Sequence, residues 1–488
     1  MKEKINIVWL KRDLRISDHE AFQKAIESAS PFLAVFCFEP SLIKDPHYTI
    51  RHWKFIHHSI LEMNKTLAEK FKLPPIHCYY GEFIDFVKNV EEKFKIEKVF
   101  SHMEIGLTST FRRDIEVKEF LQNENIEWIE YKQNAVLRGL KNRKRWRDLY
   151  KKFTLRGILH PEWKNAQIKH LSELNNLQQA DFYQELKVSP YNFQKAGEDA
   201  AHFELKDFFQ NRHQKYLQHI SKPFLAEKTC SRLSPHLAWG NITSKQIYYF
   251  AAQYFEQNKV NKRQANAFLD RVKWRCHFMQ KFESETIIEN KCFNQAFEKL
   301  DRKRNKEIFK LWSEGKTGFP LVDACMISLR ETGYLNFRMR AMVSSFYINI
   351  LWQDWKWAAL HLARVFLDFE PGIHYSQIHM QAGNTGIHTL RIYNPYKQSY
   401  ENDSDAKFIT KWLPQLSKLP TDLIHEPHKI SAMEEMMYDF KLGEDYPKPI
   451  VNFEFQLREA KRKIAEIIHS NECKKEALRI MNRHVNPK

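Results

Sequence analysis

The order of strand-like and helix-like segments constrains this chain more than any other feature. Within the first 135 of its 488 residues, five short β-type segments alternate with amphipathic helical ones such as residues 52–71. The β-type segments are INIVWL, PFLAVFCF, PIHCYY, KVFSHM and IEWIEY. This alternation is typical of a parallel sheet covered by helices, because parallel strands need long crossover connections. We therefore predict an N-terminal α/β domain with a five-stranded parallel sheet over residues 1–135.

The strand signal almost disappears after residue 205, and helical periodicity dominates the rest of the chain. Residues 136–205 are polar and basic with scattered Pro and Gly, as in HPEWKNAQ and KVSPYNFQKAG, which favours a long interdomain connection. The sequence predicts an all-α domain over residues 206–488. Its clearest predicted helices cover residues 247–256, 265–282, 322–331, 338–352 and 354–367.

Composition and charge narrow the partners and the cellular compartment. The formal charge of +17, from 77 basic and 60 acidic residues, favours a polyanionic partner such as nucleic acid, with a generally basic proteome as the alternative. The seven cysteines include no CxxC pair, which argues against a disulfide framework or a compact zinc site. The N-terminal MKEKINIVWLKRD lacks a signal-length apolar region, and no segment has the length and apolar content of a membrane span. We interpret the protein as cytoplasmic and without a membrane partner.

Several common binding motifs are absent or incomplete. No strand is followed by GxGxxG, so the dinucleotide-binding fingerprint is missing. The tripeptide GKT at 315–317 resembles the end of a phosphate loop, but Lys310 stands where that loop needs glycine. His374, His379 and His388 suggest a metal site, yet isolated histidines are more often hydrogen-bonded structural residues. We therefore predict no metal.

Three segments of the C-terminal half carry a family resemblance. They are CSRLSPHLAWG at 230–240, EGKTGFPLVD at 314–323, and residues 333–395, which end in RIYNP. The N-terminal LKRDLRISDHEAF and the later FITKWLPQL and DYPKPIV fit as well. Together these segments resemble the DNA photolyase and cryptochrome family, in the expected order and over nearly the whole chain. The resemblance implies that the all-α domain binds FAD.

The resemblance also implies where FAD is held. The SRLS segment would meet the diphosphate, with hydroxyl donors from Ser231 and Ser234 and a charge from Arg232. Taken alone, a serine before a helical segment would be a plain helix cap. Arg340 and Asp368 match an ion pair beside the flavin ring, which would stabilise an anionic reduced flavin. The cofactor-binding residues implied by the resemblance are Tyr216, Cys230, Ser231, Arg232, Leu233, Ser234, Phe268, Arg275, Arg340, Asp368, Phe369, Glu370 and His374.

The substrate implied by the resemblance is DNA that contains pyrimidine dimers, bound by a monomer. Trp274 matches a tryptophan that stacks on the flipped dimer, because a flavin cannot reach a base inside the duplex. The alternative for Trp274 is a core position on an amphipathic helix. The catalytic residues implied are Trp274, Arg340, Trp355, Asp368, His374 and Met380.

The pocket departs from the family pattern near the flavin and the lesion. His374 occupies the position where asparagine, aspartate or cysteine faces flavin N5, so that it could donate a hydrogen bond or a proton there and tune the flavin redox state. Met380 replaces the second stacking tryptophan, and Arg271 replaces a glutamate that contacts the dimer; a match shifted by one residue is the alternative, because the spacing to Arg391 is shorter than usual. The histidine pair of (6-4) photolyases is replaced, which disfavours repair of (6-4) lesions. The replacing residues are Asn336, Phe337 and Ala341.

The usual tryptophan triad for electron transfer is also incomplete. Ile378 occupies the flavin-proximal position and Arg302 the distal one, so only the middle residue, Trp355, remains. Other aromatic side chains that offer another route are Trp352 and Trp357, or Tyr375.

We predict light-driven repair of cyclobutane pyrimidine dimers by an electron from excited reduced FAD. The alternative is a cryptochrome-type photoreceptor with little or no repair, favoured by the altered pocket. A nucleic-acid-binding protein without photochemistry is a third possibility, which requires the flavin motifs to be vestigial. The resemblance also implies a second, antenna chromophore in the N-terminal domain. Folate, deazaflavin, flavin and lumazine all stay open as its identity.

Overall fold

The five predicted strands form one parallel sheet in the computed structural model, which describes residues 2–188, 191–258 and 261–485. The strand order is β3-β2-β1-β4-β5, and each neighbouring pair is parallel. The predicted fold class, an α/β domain followed by a helical one, is confirmed. The strands are β1 Lys4–Leu10, β2 Phe32–Phe38, β3 His77–Tyr80, β4 Lys95–His102 and β5 Glu127–Tyr131.

The two central strands explain why this region folds as a covered sheet. Every residue of β2 is buried, and so is every residue of β1 after Lys4. Such continuous apolar strands are stable only where helices cover both faces of the sheet. Val8 lies at the centre of the register, paired with Ala34 on one side and Phe100 on the other. The strand order reverses at β1, and in parallel sheets this is the point where ligands usually bind, beyond the carboxyl ends of the strands.

Helices make up most of the chain after β5. Within the described ranges, no helix has both the length and the apolar content needed to cross a bilayer. The α-helices are α1 Glu20–Glu27, α2 Pro40–Ile43, α3 Ile50–Thr66, α4 Phe83–Glu91, α5 Thr108–Asn123, α6 Trp146–Thr154, α7 Asp181–Val188, α8 Glu198–Asp207, α9 Tyr216–His219, α10 Pro223–Thr229, α11 Ser234–Trp239, α12 Ser244–Gln257, α13 Lys262–Ser284, α14 Lys306–Glu314, α15 Pro320–Thr332, α16 Phe337–Ser345, α17 Trp355–Val365, α18 Pro371–Ala382, α19 Pro395–Asn402, α20 Lys407–Trp412, α21 Thr421–His425, α22 Ala432–Met437, α23 Phe453–His469 and α24 Asn471–His484. The π-helical turns are Leu67–Phe71, Phe208–Arg212 and Phe346–Ile350, and the 3-10 turns are Trp163–Asn165, Ser172–Leu174, Leu177–Gln179, His213–Lys215, Thr286–Glu289, Gln295–Lys299, Pro414–Lys418 and Pro427–Lys429.

One predicted helix boundary is wrong. The helix expected over 338–352 is α16 followed by the π-helical turn Phe346–Ile350, and Trp352 has a left-handed backbone with φ of 52°. The chain must turn here because Asp354 begins a new helix: its carboxylate accepts the backbone N–H of Lys356 at 2.9 Å. The remaining predicted helices correspond to α12, α13, α15 and α17.

Residues 136–205 form a structured connection. Trp146 and Tyr150 of α6 are buried, as is Phe153. Further along, the backbone N–H of Lys169 donates to the carbonyl of Phe32, so the segment also pairs with the start of β2. The division of the chain at residues 135 and 205 stays a prediction.

The loop that follows β1 fastens the sheet to the helical domain with buried charges. Arg15 donates through Nη1 to the carbonyl oxygen of Gly240 at 3.0 Å, and Asp18 pairs with Lys245 at 2.6 Å. The side chains of Arg15 and Asp18 are fully buried or nearly so. Buried charges are tolerated only when they are paired and hydrogen-bonded, so this loop has a single docked position.

We expect Gly240→Ala to destabilise the protein by more than about 4 kcal/mol in urea unfolding. Gly240 has a φ of +77°, and an added Cβ would lie 2.1 Å from the carbonyl oxygen of Arg12 and 2.5 Å from Asp13 Cα. The matched control is Gly139→Ala, at a similar φ of +72° but with no atom within 4 Å. Gly139→Ala should lower the free energy of unfolding only by its backbone strain, about 1–2 kcal/mol. Equal losses in the two variants would contradict the role of the docked loop.

Candidate functional site

Arg340 and Asp368 form a bidentate ion pair in the helical domain. Arg340 Nη1 donates to Asp368 Oδ1 at 2.9 Å and Nη2 to Oδ2 at 2.7 Å, while Nε donates to the carbonyl oxygen of Leu335. Arg340 lies on α16, and Asp368 lies in the turn between α17 and α18. The arginine side chain is 26% exposed and the aspartate 6%, so the open side of the pair is the positive one.

The surroundings of Asp368 keep it ionised. Burial alone would raise its pKa, but the charge and hydrogen bonds of Arg340, together with the nearby Ser234 hydroxyl, outweigh burial and hold the pKa below its ordinary value. The Arg340 guanidinium also lies over the ring of Phe366, at 4.1 Å from the ring centre. The pair is therefore fixed in position and charge.

The SRLS segment reaches the same place through Ser234. This serine begins α11 and lies near enough to Asp368 for its hydroxyl to lower the pKa of that carboxylate, so two segments distant in sequence meet there. Arg232 has a left-handed backbone with φ of 59°, and its guanidinium lies 3.7 Å from the centre of the Tyr334 ring. Leu233 is buried and anchors the segment. The polar groups of Ser231, Arg232 and Ser234 suit an anion such as a diphosphate.

Other predicted cofactor residues fall into two groups. Phe268 and Tyr216 are buried in an aromatic cluster, where the Phe268 ring lies 6.0 Å from that of Tyr216. Arg275 donates to Glu370 at 2.8 Å. The second carboxylate oxygen of Glu370, Oε1, is buried and has no hydrogen-bond partner within the described part of the chain. A buried acceptor without a partner is consistent with a binding site in which a polar ligand donates a hydrogen bond to it.

His374 is neutral, and one of its two ring nitrogens is hydrogen-bonded to the protein. Its Nε2 lies 2.8 Å from the carbonyl oxygen of Ala359, so this nitrogen carries the hydrogen and Nδ1 keeps a lone pair. Burial lowers the pKa of His374 to about 3. Donation from Nδ1 would require the charged ring, so Nδ1 is a hydrogen-bond acceptor at neutral pH. The ring of Phe369 packs against this histidine at 5.2 Å.

The predicted lesion-binding side chains lie on α13 and α18. Trp274 is 48% exposed, and its ring contacts that of His277 at 5.1 Å. The core position considered for Trp274 is thus excluded by its exposure. Arg271 is exposed as well, and Met380 is half-buried on α18.

The tryptophan triad is interrupted in the structure as in the sequence. Ile378 is buried, and Arg302 donates to the carbonyl oxygen of Ala382 at 2.6 Å. Trp355 is buried and lies 4.5 Å from the ring of His379. The two triad positions on either side of Trp355 are therefore held by an aliphatic residue and an arginine, which do not continue a tryptophan route.

The histidines considered as metal ligands do not meet. His379 bonds to the carbonyl oxygen of Ile288 and His388 to Thr385. Within the described ranges, a different buried group has the spacing of metal ligands and was missed by sequence reasoning: Asp13, His19 and His102. His102 Nδ1 bonds to the Asp13 carboxylate at 2.7 Å, and His19 Nε2 lies 3.1 Å from the same oxygen.

The cleft at the carboxyl edge of the sheet is filled by ion pairs. Arg113 donates to Glu39 and Glu104 at 2.7 Å and to Asp114 at 2.8 Å. A pocket of about 30 Å³ lies beside them, which suffices for one or two water molecules. A chromophore in this cleft would have to displace the Arg113 network.

We expect His374→Asn to make the free energy of unfolding less dependent on pH between about 5 and 7. The folded-state pKa of His374 is about 3 and the ordinary unfolded value is 6.5. Its contribution to stability is therefore present above pH 6.5 and is lost as the pH falls, by up to about 1.4 kcal/mol per pH unit. Urea unfolding at several pH values measures the slope. Exposed His160→Asn is the control, and an unchanged slope in His374→Asn would contradict a buried neutral ring.

Comparison with known proteins identifies the two halves of the chain. Residues 6–160 match the family model of DNA photolyase. Residues 268–466 match the model of the FAD binding domain of DNA photolyase, which includes the Arg340–Asp368 pair, Trp274 and His374. The helical domain is thus an FAD-binding domain of this type.

Relatives with full-length similarity include both kinds of protein in this family. A deoxyribodipyrimidine photo-lyase of Alkalihalophilus pseudofirmus is 25% identical, over 94% of this chain and 97% of the relative. A cryptochrome DASH of Synechocystis sp. is 26% identical, over 94% of this chain and 98% of the relative.

Solved structures share the fold. A class III photolyase from Agrobacterium tumefaciens superposes with a TM-score of 0.81 at 23% identity, covering 96% of this chain and 99% of that one. An archaeal photolyase from Sulfolobus tokodaii with two FAD molecules superposes with a TM-score of 0.79 at 24% identity, covering 95% of this chain and all of that one. The two family models show that the chain belongs to the DNA photolyase and cryptochrome family.

Proposed function

We propose that this protein repairs cyclobutane pyrimidine dimers in DNA with light, using reduced FAD as the electron donor. One observation carries the proposal: Arg340 and Asp368 form a bidentate ion pair inside the region that matches the FAD-binding domain, and the pair lies beside Ser234 of the SRLS segment. When reduced FAD is bound and excited, it would lend one electron that splits the dimer and then returns to the flavin.

The residues around the pair suit a reduced flavin. The Arg340 guanidinium is the open side of the pair, and a fixed positive charge there stabilises negative charge on a neighbouring ring. Asp368 holds that guanidinium in a bidentate geometry, which an exposed arginine alone would not keep. His374 offers a hydrogen-bond acceptor at Nδ1, which favours a flavin nitrogen that carries a hydrogen at the facing position.

Binding of damaged DNA is supported by exposed aromatic and basic side chains. A base must leave the duplex to reach a buried flavin, and a damaged pair costs least to extrude. Trp274 has the free face that stacking on an extruded base requires. The net charge of +17 favours phosphate contacts, so we expect affinity to fall steeply as salt rises.

A cryptochrome-type photoreceptor is the second candidate function. The altered positions Ile378, Arg302 and Met380 favour it, and so does the similarity to a cryptochrome DASH. The exposed Trp274 and the basic charge favour repair, because a signalling flavoprotein needs neither.

A second, antenna chromophore is part of the proposal, supported by the archaeal relative with two FAD molecules. The pocket beside Arg113 has a volume of about 30 Å³, so a chromophore bound there would require the Arg113 network to open. Absorbance of the purified protein, resolved into FAD and any second chromophore, tests it. One FAD per chain with no other chromophore would contradict this part.

We expect the reduced, FAD-loaded protein to repair a dimer-containing oligonucleotide under blue light and not in the dark. Trp274→Ala should weaken binding of that oligonucleotide on the order of ten- to a hundredfold, because stacking contributes about 1–3 kcal/mol per base. Phe203→Ala on α8 is the matched control, since Phe203 is 68% exposed and lies outside the proposed site.

Two results would count against repair. Fully reduced protein with stoichiometric FAD that leaves the dimer intact under light would favour the photoreceptor. Equal affinity of the parent and Trp274→Ala for damaged DNA would remove Trp274 from the lesion site.

A further inference from the structure

A chain of three hydrogen-bonded side chains runs from the N-terminal domain into the helical domain beside His374. Tyr375 Oη lies 2.5 Å from His47 Nε2, and His47 Nδ1 lies 2.7 Å from Asp45 Oδ1. Asp45 and His47 belong to the loop between α2 and α3, and Tyr375 is on α18. Asp45 Oδ2 accepts a further hydrogen bond from Ser109 at 2.9 Å.

The partners determine the direction of each hydrogen bond. Burial alone would raise the pKa of Asp45, but hydrogen bonds from His47 and Ser109 outweigh burial and lower the pKa. The ionised carboxylate only accepts, so His47 Nδ1 carries the hydrogen and Nε2 keeps a lone pair. Tyr375 therefore donates its phenolic hydrogen to His47 Nε2.

Tyr375 is enclosed and lies against the proposed flavin site. It is 3% exposed, and its ring contacts the ring of His374 at 5.4 Å and that of Phe282 at 6.0 Å. Burial raises its pKa, and the charges of Glu289 and Asp45 and the hydroxyl of Tyr48 act in the same direction. Tyr375 therefore stays protonated unless it loses an electron.

We propose that Tyr375 gives one electron to light-excited, oxidised flavin bound at the proposed site, and passes its phenolic proton to His47. The inference rests on the proposed function, because that site supplies the oxidant. The Tyr375 O–H bond breaks and a new N–H bond forms at His47 Nε2. Tyrosine becomes a neutral phenoxyl radical, the flavin gains the electron, and the new imidazolium is paired with Asp45.

The hydrogen bond to a base makes this tyrosine a suitable donor. Loss of an electron makes a phenol strongly acidic, so a base within hydrogen-bond reach must take the proton in the same event. His47 is such a base, and Asp45 stabilises the charge that forms on it, as a carboxylate does for an imidazole in a catalytic triad. An external thiolate then gives one electron to the phenoxyl radical and becomes a thiyl radical, while the proton returns from His47 Nε2 to the Tyr375 oxygen, which restores tyrosine and neutral histidine.

Two other aromatic side chains lack this arrangement. Tyr347 is fully buried, and its hydroxyl has no hydrogen-bond partner within the described residues. Trp355 is separated from a continuous tryptophan route by Ile378 and Arg302. By contrast, contacts lead without a gap from Arg340 to Phe366, to His374 and to Tyr375.

Photoreduction of the FAD-loaded protein tests the inference. The oxidised protein is illuminated with blue light in the presence of a thiol, and loss of flavin absorbance gives the rate. We expect Tyr375→Phe to slow this rate at least about tenfold, and His47→Gln to slow it similarly, because glutamine accepts the hydrogen bond but not the proton. Tyr347→Phe is the matched control and should keep the parent rate.

Two further readouts report on the tyrosine itself. Electron paramagnetic resonance after a flash should detect a neutral tyrosyl radical in the parent and in Tyr347→Phe, and none in Tyr375→Phe. The parent should also photoreduce more slowly in D₂O than in H₂O, since a proton moves with the electron.

The outcomes separate this inference from the proposed function. Protein without FAD absorbance in the dark would overturn both. Protein that binds FAD, but whose Tyr375→Phe and His47→Gln variants photoreduce at the parent rate, would overturn only the role of Tyr375. If Tyr375→Phe does not fold, His47→Gln decides alone, because it leaves the tyrosine in place.

Discussion

The buried arginine after β1 holds the two domains in one arrangement, and the rest of the site depends on it. Arg12 donates through Nη1 to the carbonyl oxygens of Phe369 and Ala238, at 3.0 and 3.2 Å, and through Nη2 to the hydroxyl of Tyr48 at 3.0 Å. Its guanidinium also lies 4.3 Å from the ring centre of Trp239. A charge in such an environment is stable only with all these partners in place.

The position of Phe369 connects this docking to the chemistry. Phe369 follows Asp368 directly, and its ring stacks on His47 at 5.8 Å with an angle of 7°. Arg12 thus fixes the backbone at Phe369. That backbone carries Asp368 of the proposed flavin site, and the Phe369 ring lies against His47, the proposed proton acceptor. The electron donor, Tyr375, and its base, His47, come from different domains, so only the docked protein has the pair.

Burial has opposite electrostatic consequences within a few ångströms. Asp368 is buried against a guanidinium and stays charged, whereas His374 is buried among rings and a carbonyl and stays neutral. The protonation state of each side chain is therefore decided by its hydrogen-bond and charge partners, since both side chains are buried. A flavin bound between them would meet one fixed positive charge and one neutral hydrogen-bond acceptor.

Much of the fold was predictable because its signals are local. Five apolar segments at crossover spacing specify a parallel sheet, and helical periodicity specifies the second domain. The boundary near residue 352 was not predictable from periodicity, because apolar residues continue across it. The new helix is marked only by Asp354, whose side chain caps its first turn. The residues matched to a flavin site were found through the order of several motifs, each of which alone is common.

The sequence by itself determined the fold class, the family resemblance and the replacement of two triad tryptophans by Ile378 and Arg302. Only the tertiary structure decided which nitrogen of His374 is free, how little space remains beside Arg113, and that Tyr375 meets His47. The physical reason is separation along the chain. His47 and Tyr375 are 328 residues apart, and a hydrogen bond over that distance depends on domain packing, which leaves no local pattern in the sequence.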